Sequence, residues 1–218
     1  MPLQNKPIVF CDFDGTITQQ DTFFRVFQTF IPDVAATICP AIGRGDISLR
    51  VGLEQLISHL RTADVERITA LISAQPLRPG FEAFLEYLST NKIAFIVVSS
   101  GLRFAIEKRL APYRPLIHSI HALDVDLSSP FMRAVISHND AGEAVKKADV
   151  LIRHPASTRI VIGDSISDYT MAMQADYLFA RDRLFDFAIR NDLTAEYFDD
   201  FYDILQKLSS MTFHVAGK

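Results

Sequence analysis

The stretch Lys6-Pro7-Ile8-Val9-Phe10-Cys11-Asp12-Phe13-Asp14-Gly15-Thr16-Ile17-Thr18 decides the fold. Its apolar run, residues 8–11, is typical of a strand that is buried on both faces of a parallel sheet. The run ends at two acids one residue apart, Asp12 and Asp14, followed by a glycine that permits a sharp turn. Ligands of open α/β sheets bind at the carboxyl ends of strands, so both acids are candidate functional groups. Asp is also common in turns, and the motif alone fits either role.

The composition predicts one α/β domain, or one domain with a modest insertion. The chain has 218 residues, of which 49% are hydrophobic, enough for a full core. A net charge of −4 argues against nucleic acid as a partner. The two cysteines, Cys11 and Cys39, do not make a disulfide framework. The first apolar run is too short for a signal peptide and no run of 18 apolar residues exists, so we expect a soluble, cytoplasmic protein without a membrane span. The sequence predicts no particular oligomeric state.

Apolar runs and helical periodicity alternate over most of the chain. Buried strands are predicted at residues 94–98 and 159–162, and a short strand at 177–180. Helices are predicted at 81–90, 102–110 and 143–153, and a mixed, largely helical tail at 184–208. Residues 116–137 predict a strand followed by a hairpin-like excursion. Strands that alternate with helices imply a parallel sheet with right-handed crossovers, which is an α/β fold.

The residues between the first strand and the second show only helical periodicity. Residues 21–74 carry helical periodicity in three stretches, at 23–38, 49–60 and 65–72, punctuated by prolines and a glycine-rich turn. We therefore expect residues 19–75 to form a helical insertion. Residues 1–18 and 76–218 would form the α/β core.

Three predicted strands end in polar side chains that would meet at one edge of the sheet. They are Asp12 and Asp14 after the first strand, Ser99 and Ser100 after the second, and Asp164 and Asp168 after the third. Carboxylates this close repel one another by roughly 4 kcal/mol per pair at 4 Å, so they require a cation. Ligation by oxygen alone favours Mg²⁺.

Histidine offers a weaker alternative metal site. His118 and His121 are three residues apart, a spacing that would put them on one face of a helix. We assign them no ligand role, because the four carboxylates form the better donor set for a hard cation.

Taken in order, these motifs resemble those of the haloacid dehalogenase superfamily of Mg²⁺-dependent phosphohydrolases. The resemblance rests on residues 12–16, on Ser99, on a lysine ahead of the third strand and on residues 163–168. It implies a Rossmann-like core with a helical cap inserted after the first strand. It also implies that Asp12 is the nucleophile, forming an aspartyl-phosphate, and that Asp14 is the general acid and base.

The resemblance further implies how the metal and the phosphoryl group are held. Mg²⁺ would lie between the Asp12 carboxylate, the Asp14 carbonyl oxygen and Asp164, with Asp168 in a supporting or ligating position. The phosphoryl oxygens would be bound by Ser99, by Ser100 or nearby backbone N–H groups, and by a lysine. Lys146 and Lys147 are both candidates for that lysine. We choose Lys147, because two apolar residues follow it at the spacing that would bury them beneath it in a helix.

Substrate selection would fall to the cap, with Asp21, Phe24, Arg44 and Arg50 as candidates, and the substrate would be a small phosphorylated metabolite. The cap position resembles that of the phosphoserine phosphatase-like branch, although the nearest acid after the first motif is Asp21 where that branch usually has Glu. A closer similarity, at residues 78–81, 163–182 and 200–202, is to the enol-phosphate phosphatases of methionine salvage. Two differences leave the substrate open: residues 138–142 replace a cysteine-rich stretch, and Ser100 stands where Gly is common.

Two other functions fit the same motifs. A phosphotransferase or mutase on this fold would pass the phosphoryl group to a sugar hydroxyl with the same general acid. A regulatory protein with a catalytically silent phosphate pocket would usually lack the nucleophile or a metal ligand. Asp12, Asp14 and Asp164 are all present in this chain, and a phosphatase is therefore the leading expectation.

Overall fold

The computed structural model describes residues 6–136 and 145–211. In these residues the strands form one seven-stranded sheet with the order β4-β3-β2-β1-β5-β6-β7. The strands are β1 Pro7–Cys11, β2 Ala94–Leu102, β3 Ser119–Asp126, β4 Arg133–Val135, β5 Thr158–Gly163, β6 Tyr177–Ala180 and β7 Ala195–Tyr197. Neighbouring strands are parallel, except that β3 and β4 form an antiparallel hairpin. This confirms the predicted α/β fold and its parallel sheet.

The helices connect the strands and cover both faces of the sheet. They are α1 Thr22–Phe30, α2 Pro32–Arg44, α3 Leu49–Ile57, α4 Val65–Ser73, α5 Phe81–Thr90, α6 Arg103–Leu110, α7 Lys147–Arg153, α8 Tyr169–Ala172, α9 Asp182–Arg190 and α10 Phe201–Ser210. No helix among the described residues has the length and apolar character needed to cross a bilayer.

Strand β1 lies at the centre of the sheet, and all five of its residues are buried. Ile8 and Phe10 pack with apolar side chains of α7, α8 and α9. Val9 and Cys11 face the other side, in the larger core that includes α5, α6 and α10. This alternation follows from the two-residue period of a strand. It explains why the run at residues 8–11 is apolar without interruption.

The segment between β1 and α5 contains α1 to α4. Periodicity predicts one helical stretch over residues 23–38, whereas the structure has two helices that meet at Ile31 and Pro32. Pro32 takes the first position of α2, where a missing N–H costs no hydrogen bond. An antiparallel bridge between Thr18 and Leu77 joins the two ends of the segment.

Four details differ from the sequence-based expectations. Helix α7 begins at Lys147, and the predicted start at Glu143, like residues 138–142, lies outside the described residues. The mixed tail contains a third element, β7, between α9 and α10. Strand β2 continues to Leu102 across an irregularity in its pairing with β3. His121 lies on β3, and His118 just before that strand, so the expected shared helix face is wrong: the β-branched Ile117 and Ile120 beside them favour a strand.

Candidate active site

Asp12 stands at the carboxyl end of the central strand and is nearly buried, with 3% of its surface exposed. Its Oδ1 accepts a hydrogen bond from Lys147 Nζ at 2.6 Å. The same ammonium group donates to Asp168 Oδ1, also at 2.6 Å. Lys147 is fully buried at the first turn of α7. Asp12 and Asp168, which lie 135 and 21 residues from Lys147 along the chain, therefore meet at one ammonium group.

The electrostatics of Lys147 follow from these two contacts. Burial alone would lower the pKa of a lysine, but the charges of Asp12 and Asp168 outweigh it and raise the pKa of Lys147. The ammonium group therefore stays charged at neutral pH. Lys146, the other candidate, lies at the surface with its Nζ 3.9 Å from Asp149 Oδ2.

The loop after β5 is held by Asp168. Its Oδ2 accepts from the backbone N–H groups of Asp164 at 3.1 Å and Ser165 at 3.0 Å. Asp164 is fixed from the other side, since its Oδ1 accepts from Thr16 Oγ1 at 2.8 Å. Asp168 thus supports the loop, and the loop presents the Asp164 carboxylate toward the end of β1.

The Asp14 carboxylate contacts the first turn of α1 and the end of β2. Its Oδ1 accepts from the Thr22 hydroxyl and from the Phe23 backbone N–H at 3.1 Å. Its Oδ2 accepts from Ser99 Oγ at 3.2 Å, and that hydroxyl in turn accepts from Gly101 N–H at 2.9 Å. The irregular part of β2 therefore delivers the Ser99 hydroxyl to the same edge of the sheet.

The carboxylates at this edge form a donor set that fits a divalent cation. Oxygen atoms of Asp12, Asp164 and Asp168 lie within 4.8 Å of one another. Burial and then the neighbouring Asp168 raise the pKa of Asp12 well above its usual range. The same two causes raise the pKa of Asp164 to about 8. A bound cation would stabilise this buried cluster of carboxylates, to which Lys147 supplies one compensating charge, and oxygen ligands suit Mg²⁺.

A cavity of about 1030 Å³ opens above these carboxylates. Asp12, Asp14 and Asp164 contribute to its lining at the sheet edge, and the opposite walls come from α1, α2 and α3. Those helices supply mainly apolar side chains to the cavity, namely Phe23, Phe24, Phe27, Ala35, Ala36, Cys39, Pro40, Ile42, Leu49, Leu53 and Leu56. A phosphate ester with an apolar tail would therefore match both ends of the cavity.

Of the four residues expected to select the substrate, three line the cavity and one does not. Asp21, Phe24 and Arg44 line the cavity, as does Ser100. Asp21 also caps α1, accepting from the Phe24 N–H at 2.8 Å. Arg44 pairs with Asp46 at 2.7 Å on the surface. Arg50 is not among the lining residues and pairs with Glu54 along α3 at 3.2 Å.

Three residues with contacts to this site are missing from the sequence-based candidates. Thr16 holds Asp164, Thr22 holds Asp14, and Arg78 binds backbone carbonyls of the loop after Asp14. Thr16 is part of the first motif, and Thr22 carried no signal beyond its closeness to that motif. Arg78 had one: it stands in the short stretch where the chain returns to the core.

Comparisons with known proteins place this chain in a family. The sequence model of the haloacid dehalogenase-like hydrolases matches residues 9–173. A relative in Microcystis aeruginosa, named 2-hydroxy-3-keto-5-methylthiopentenyl-1-phosphate phosphatase, is 34% identical over 92% of this chain and 97% of its own length. The matched region contains every acid of the site described above.

Solved structures show the same fold at lower sequence identity. A HAD family hydrolase from Salmonella enterica serovar Typhi has a TM-score of 0.75 at 17% identity, covering 97% of this chain and 74% of that one. A substrate-bound phosphoserine phosphatase has a TM-score of 0.70 at 17% identity, covering 93% of this chain and 98% of that one. At such identities the likeness concerns the fold alone.

Proposed function

Because the chain belongs to the haloacid dehalogenase-like hydrolase family, we propose that it is a phosphatase acting on the phosphate monoester of a small metabolite through a covalent intermediate on Asp12. The observation that carries the proposal is the position of Asp12. It lies at the end of the central strand, beside the fully buried Lys147 and within reach of Asp164. A carboxylate held this way is a nucleophile oriented by a fixed cation.

The reaction has two steps, and Asp14 serves both. The Asp12 carboxylate attacks phosphorus while the ester P–O bond breaks and the leaving oxygen takes a proton from Asp14. Water then gives a proton to Asp14 and attacks phosphorus, which releases inorganic phosphate and restores Asp12. Burial and then the charge of Asp21 raise the pKa of Asp14 to about 7, close to the value that suits an acid and base at neutral pH.

The remaining polar groups bind the phosphoryl oxygens. We assign this role to Lys147, Ser99 and Ser100, which stand on α7 and at the end of β2. Lys147 contributes a permanent charge, whereas the serines contribute directed donors. In the described geometry Ser99 donates to Asp14, so it would have to turn toward the substrate when a phosphate binds.

Asp12, Asp164 and the carbonyl oxygen of Asp14 are the residues we assign to Mg²⁺, with Asp168 in support. Both oxygens of Asp168 already accept hydrogen bonds, from Lys147 and from two backbone N–H groups. When bound, Mg²⁺ would supply charge that offsets both the carboxylates and the phosphoryl oxygens.

The cavity supports a substrate with an apolar end. The relative named above acts, by its name, on an enol phosphate that carries a methylthio group, and we propose a substrate of this kind for the present chain. The phosphate would lie at Asp12 and the methylthio group among the apolar side chains of α1 to α3. Phosphoserine would instead need partners for a carboxylate and an ammonium group, whereas the walls from α1 to α3 offer mainly apolar side chains and Arg44 is paired with Asp46.

We further assign residues 19–75 to a cap over a core made of residues 1–18 and 76–218. Helices α1 to α3 supply the cavity walls that face the catalytic edge. The bridge between Thr18 and Leu77 marks where the chain leaves and re-enters the core. A cap placed this way would exclude water during the first step and select the substrate by its tail.

The test is a phosphate-release assay with a panel of esters, run with Mg²⁺ and with excess chelator. The panel contains p-nitrophenyl phosphate, phosphoserine and the methylthio enol phosphate generated in situ. We expect release that depends on the metal, with kcat/KM at least tenfold higher for the methylthio ester than for phosphoserine. Absence of turnover with every divalent metal would contradict the phosphatase assignment, and a preference for phosphoserine would contradict the apolar tail.

A further inference from the structure

Arg78 is a buried arginine whose guanidinium group binds backbone carbonyls. It follows the bridge residue Leu77 and has 7% of its surface exposed. Its Nε donates to Thr16 O at 2.8 Å, and its Nη2 donates to Gly15 O and, at 3.3 Å, to Thr18 O. Three of its hydrogen bonds thus go to one short loop, the loop that follows Asp14.

This arrangement is unusual because a buried charge normally has a charged partner. Within the part of the chain that the structure describes, no carboxylate oxygen lies within 4.0 Å of the Arg78 guanidinium group. Its fourth acceptor is also a carbonyl, Asp199 O, at 3.0 Å from Nη1. The planar fork of an arginine can bind several carbonyls at fixed angles, which a lysine cannot do.

The loop that Arg78 binds, residues 15–18, contacts the Asp164 carboxylate. Gly15 has a φ of 80°, a conformation that favours glycine, and a side chain at this position would clash with the Asp164 carboxylate. The next residue, Thr16, donates its hydroxyl to Asp164 Oδ1 at 2.8 Å. Arg78 therefore binds the carbonyl of the residue whose side chain orients Asp164.

We propose that Arg78 is a positioning residue for the phosphatase reaction: it fixes the loop of residues 15–18 so that Thr16 orients the Asp164 carboxylate toward Asp12. The inference rests on the proposed function, because Asp164 is assigned there to the metal. It predicts that loss of the guanidinium group weakens metal binding and lowers kcat, whereas the contact between the cavity and the substrate tail is unchanged.

Arg181 provides a matched control. It donates to the same carbonyl, Asp199 O, at 3.0 Å, and its guanidinium carbon lies 5.8 Å from the ring of Phe198. Arg78 lies 6.0 Å from that ring. Among the described contacts, however, Arg181 makes none to residues 15–18. A purely structural role in fastening residues 198–200 would be common to both arginines.

The experiment compares Arg78→Lys, Arg78→Met, Thr16→Val and Arg181→Met in the full chain. Binding of Mn²⁺ is titrated without substrate by electron paramagnetic resonance, and kcat and KM are measured with the best ester of the panel. We expect Arg78→Lys to raise the Mn²⁺ dissociation constant about tenfold and to lower kcat by about 10–100-fold. KM is expected to stay within about twofold. Arg181→Met is expected to change both constants less than about threefold.

Further outcomes separate the possible explanations. If Arg78 acts through Thr16, the double variant Arg78→Lys/Thr16→Val loses little more than the worse single variant. If Arg78→Lys melts lower but binds Mn²⁺ and turns over like the wild type, Arg78 is structural only and the inference is wrong. If the wild type binds Mn²⁺ but releases no phosphate, the proposed function fails, whereas the Mn²⁺ titration still tests the positioning role. If Arg78→Met does not fold, Arg78→Lys and Thr16→Val still test whether Arg78 orients Asp164 through Thr16.

Discussion

At the scale of single residues, the proposed chemistry depends on the negative charge of the Asp12 carboxylate. Asp12→Asn keeps the volume of the side chain and removes its nucleophilic charge. We expect it to abolish phosphate release while leaving the far-ultraviolet circular dichroism spectrum unchanged, because Lys147 keeps its bond to Asp168. Measurable residual phosphatase activity in a freshly purified variant would contradict the role of Asp12.

Two adjacent lysines allow a controlled test of buried charge. Lys147→Met leaves Asp12 and Asp168 buried without their cation, whereas Lys146→Met removes an ammonium group near the surface. We expect the first change to lower the free energy of unfolding by about 3–5 kcal/mol, measured in urea with chelator present. The second should change it by less than about 0.5 kcal/mol. Activity should be lost in the first variant and retained in the second; equal effects would contradict the assignment of Lys147.

At the scale of elements, helix α2 has two neighbouring residues of which one lines the cavity and the other does not. Ala36 lines the cavity, whereas Thr37 is exposed and is not among the lining residues. Ala36→Asp would place a charge where we expect the methylthio group. It should raise KM for the methylthio ester about tenfold or more, with kcat within about twofold, since the apolar end contributes roughly 1–3 kcal/mol.

Thr37→Asp is the control, because it adds the same charge to the same helix outside the cavity. We expect its KM to remain within about twofold of the wild type. A second comparison uses phosphoserine, whose polar end should not be excluded by Asp at position 36. An equal rise in KM for both variants would show that the added charge acts at long range and would contradict a tail site on α2.

The strands and their polar ends were predictable because each depends on a local pattern. The run at residues 8–11 is apolar without interruption because both of its faces are buried, and a parallel sheet brings the next strands' ends to the same edge. The short elements were harder. Strand β7 has three residues and no two-residue alternation long enough to detect, and the proline in the first helical stretch divides a helix without changing its periodicity.

The contacts of Arg78 and Thr16 could not be predicted for a different reason. Their roles depend on contacts across 62 residues in one case and 148 in the other, and no local pattern encodes such pairs. By contrast, the ion pair between Arg50 and Glu54 follows from the i,i+4 spacing of α3, which is a local pattern. Sequence patterns therefore give the strand ends, and the fold decides which side chains meet there.

At the scale of the whole molecule, stability should depend on pH through a cluster of three imidazoles. The rings of His121 and His154 lie 5.0 Å apart, and those of His118 and His154 lie 6.3 Å apart. Burial, followed by the charges of His154, Arg153 and Arg103, lowers the pKa of His121 to about 4. Arg103 is itself paired with Asp124, and Ser119 Oγ lies 3.0 Å from His121 Nε2.

The sign of the effect follows from the direction of this shift. The unfolded chain binds a proton at His121 near pH 6.5, whereas the folded chain resists it until about pH 4. The stabilising contribution is therefore complete above pH 6.5 and is lost as the pH falls toward 4. Because the ring is partly exposed, solvent screening reduces the effect, and we expect about 1–2 kcal/mol.

In urea unfolding at constant Mg²⁺, the free energy of unfolding of His121→Gln should fall by about 1 kcal/mol less than that of the wild type between pH 7.5 and pH 5. His59→Gln, an exposed histidine outside the cluster, should behave like the wild type. If His121→Gln loses as much stability as the wild type over that interval, the imidazole cluster does not govern the acid limb of the stability curve.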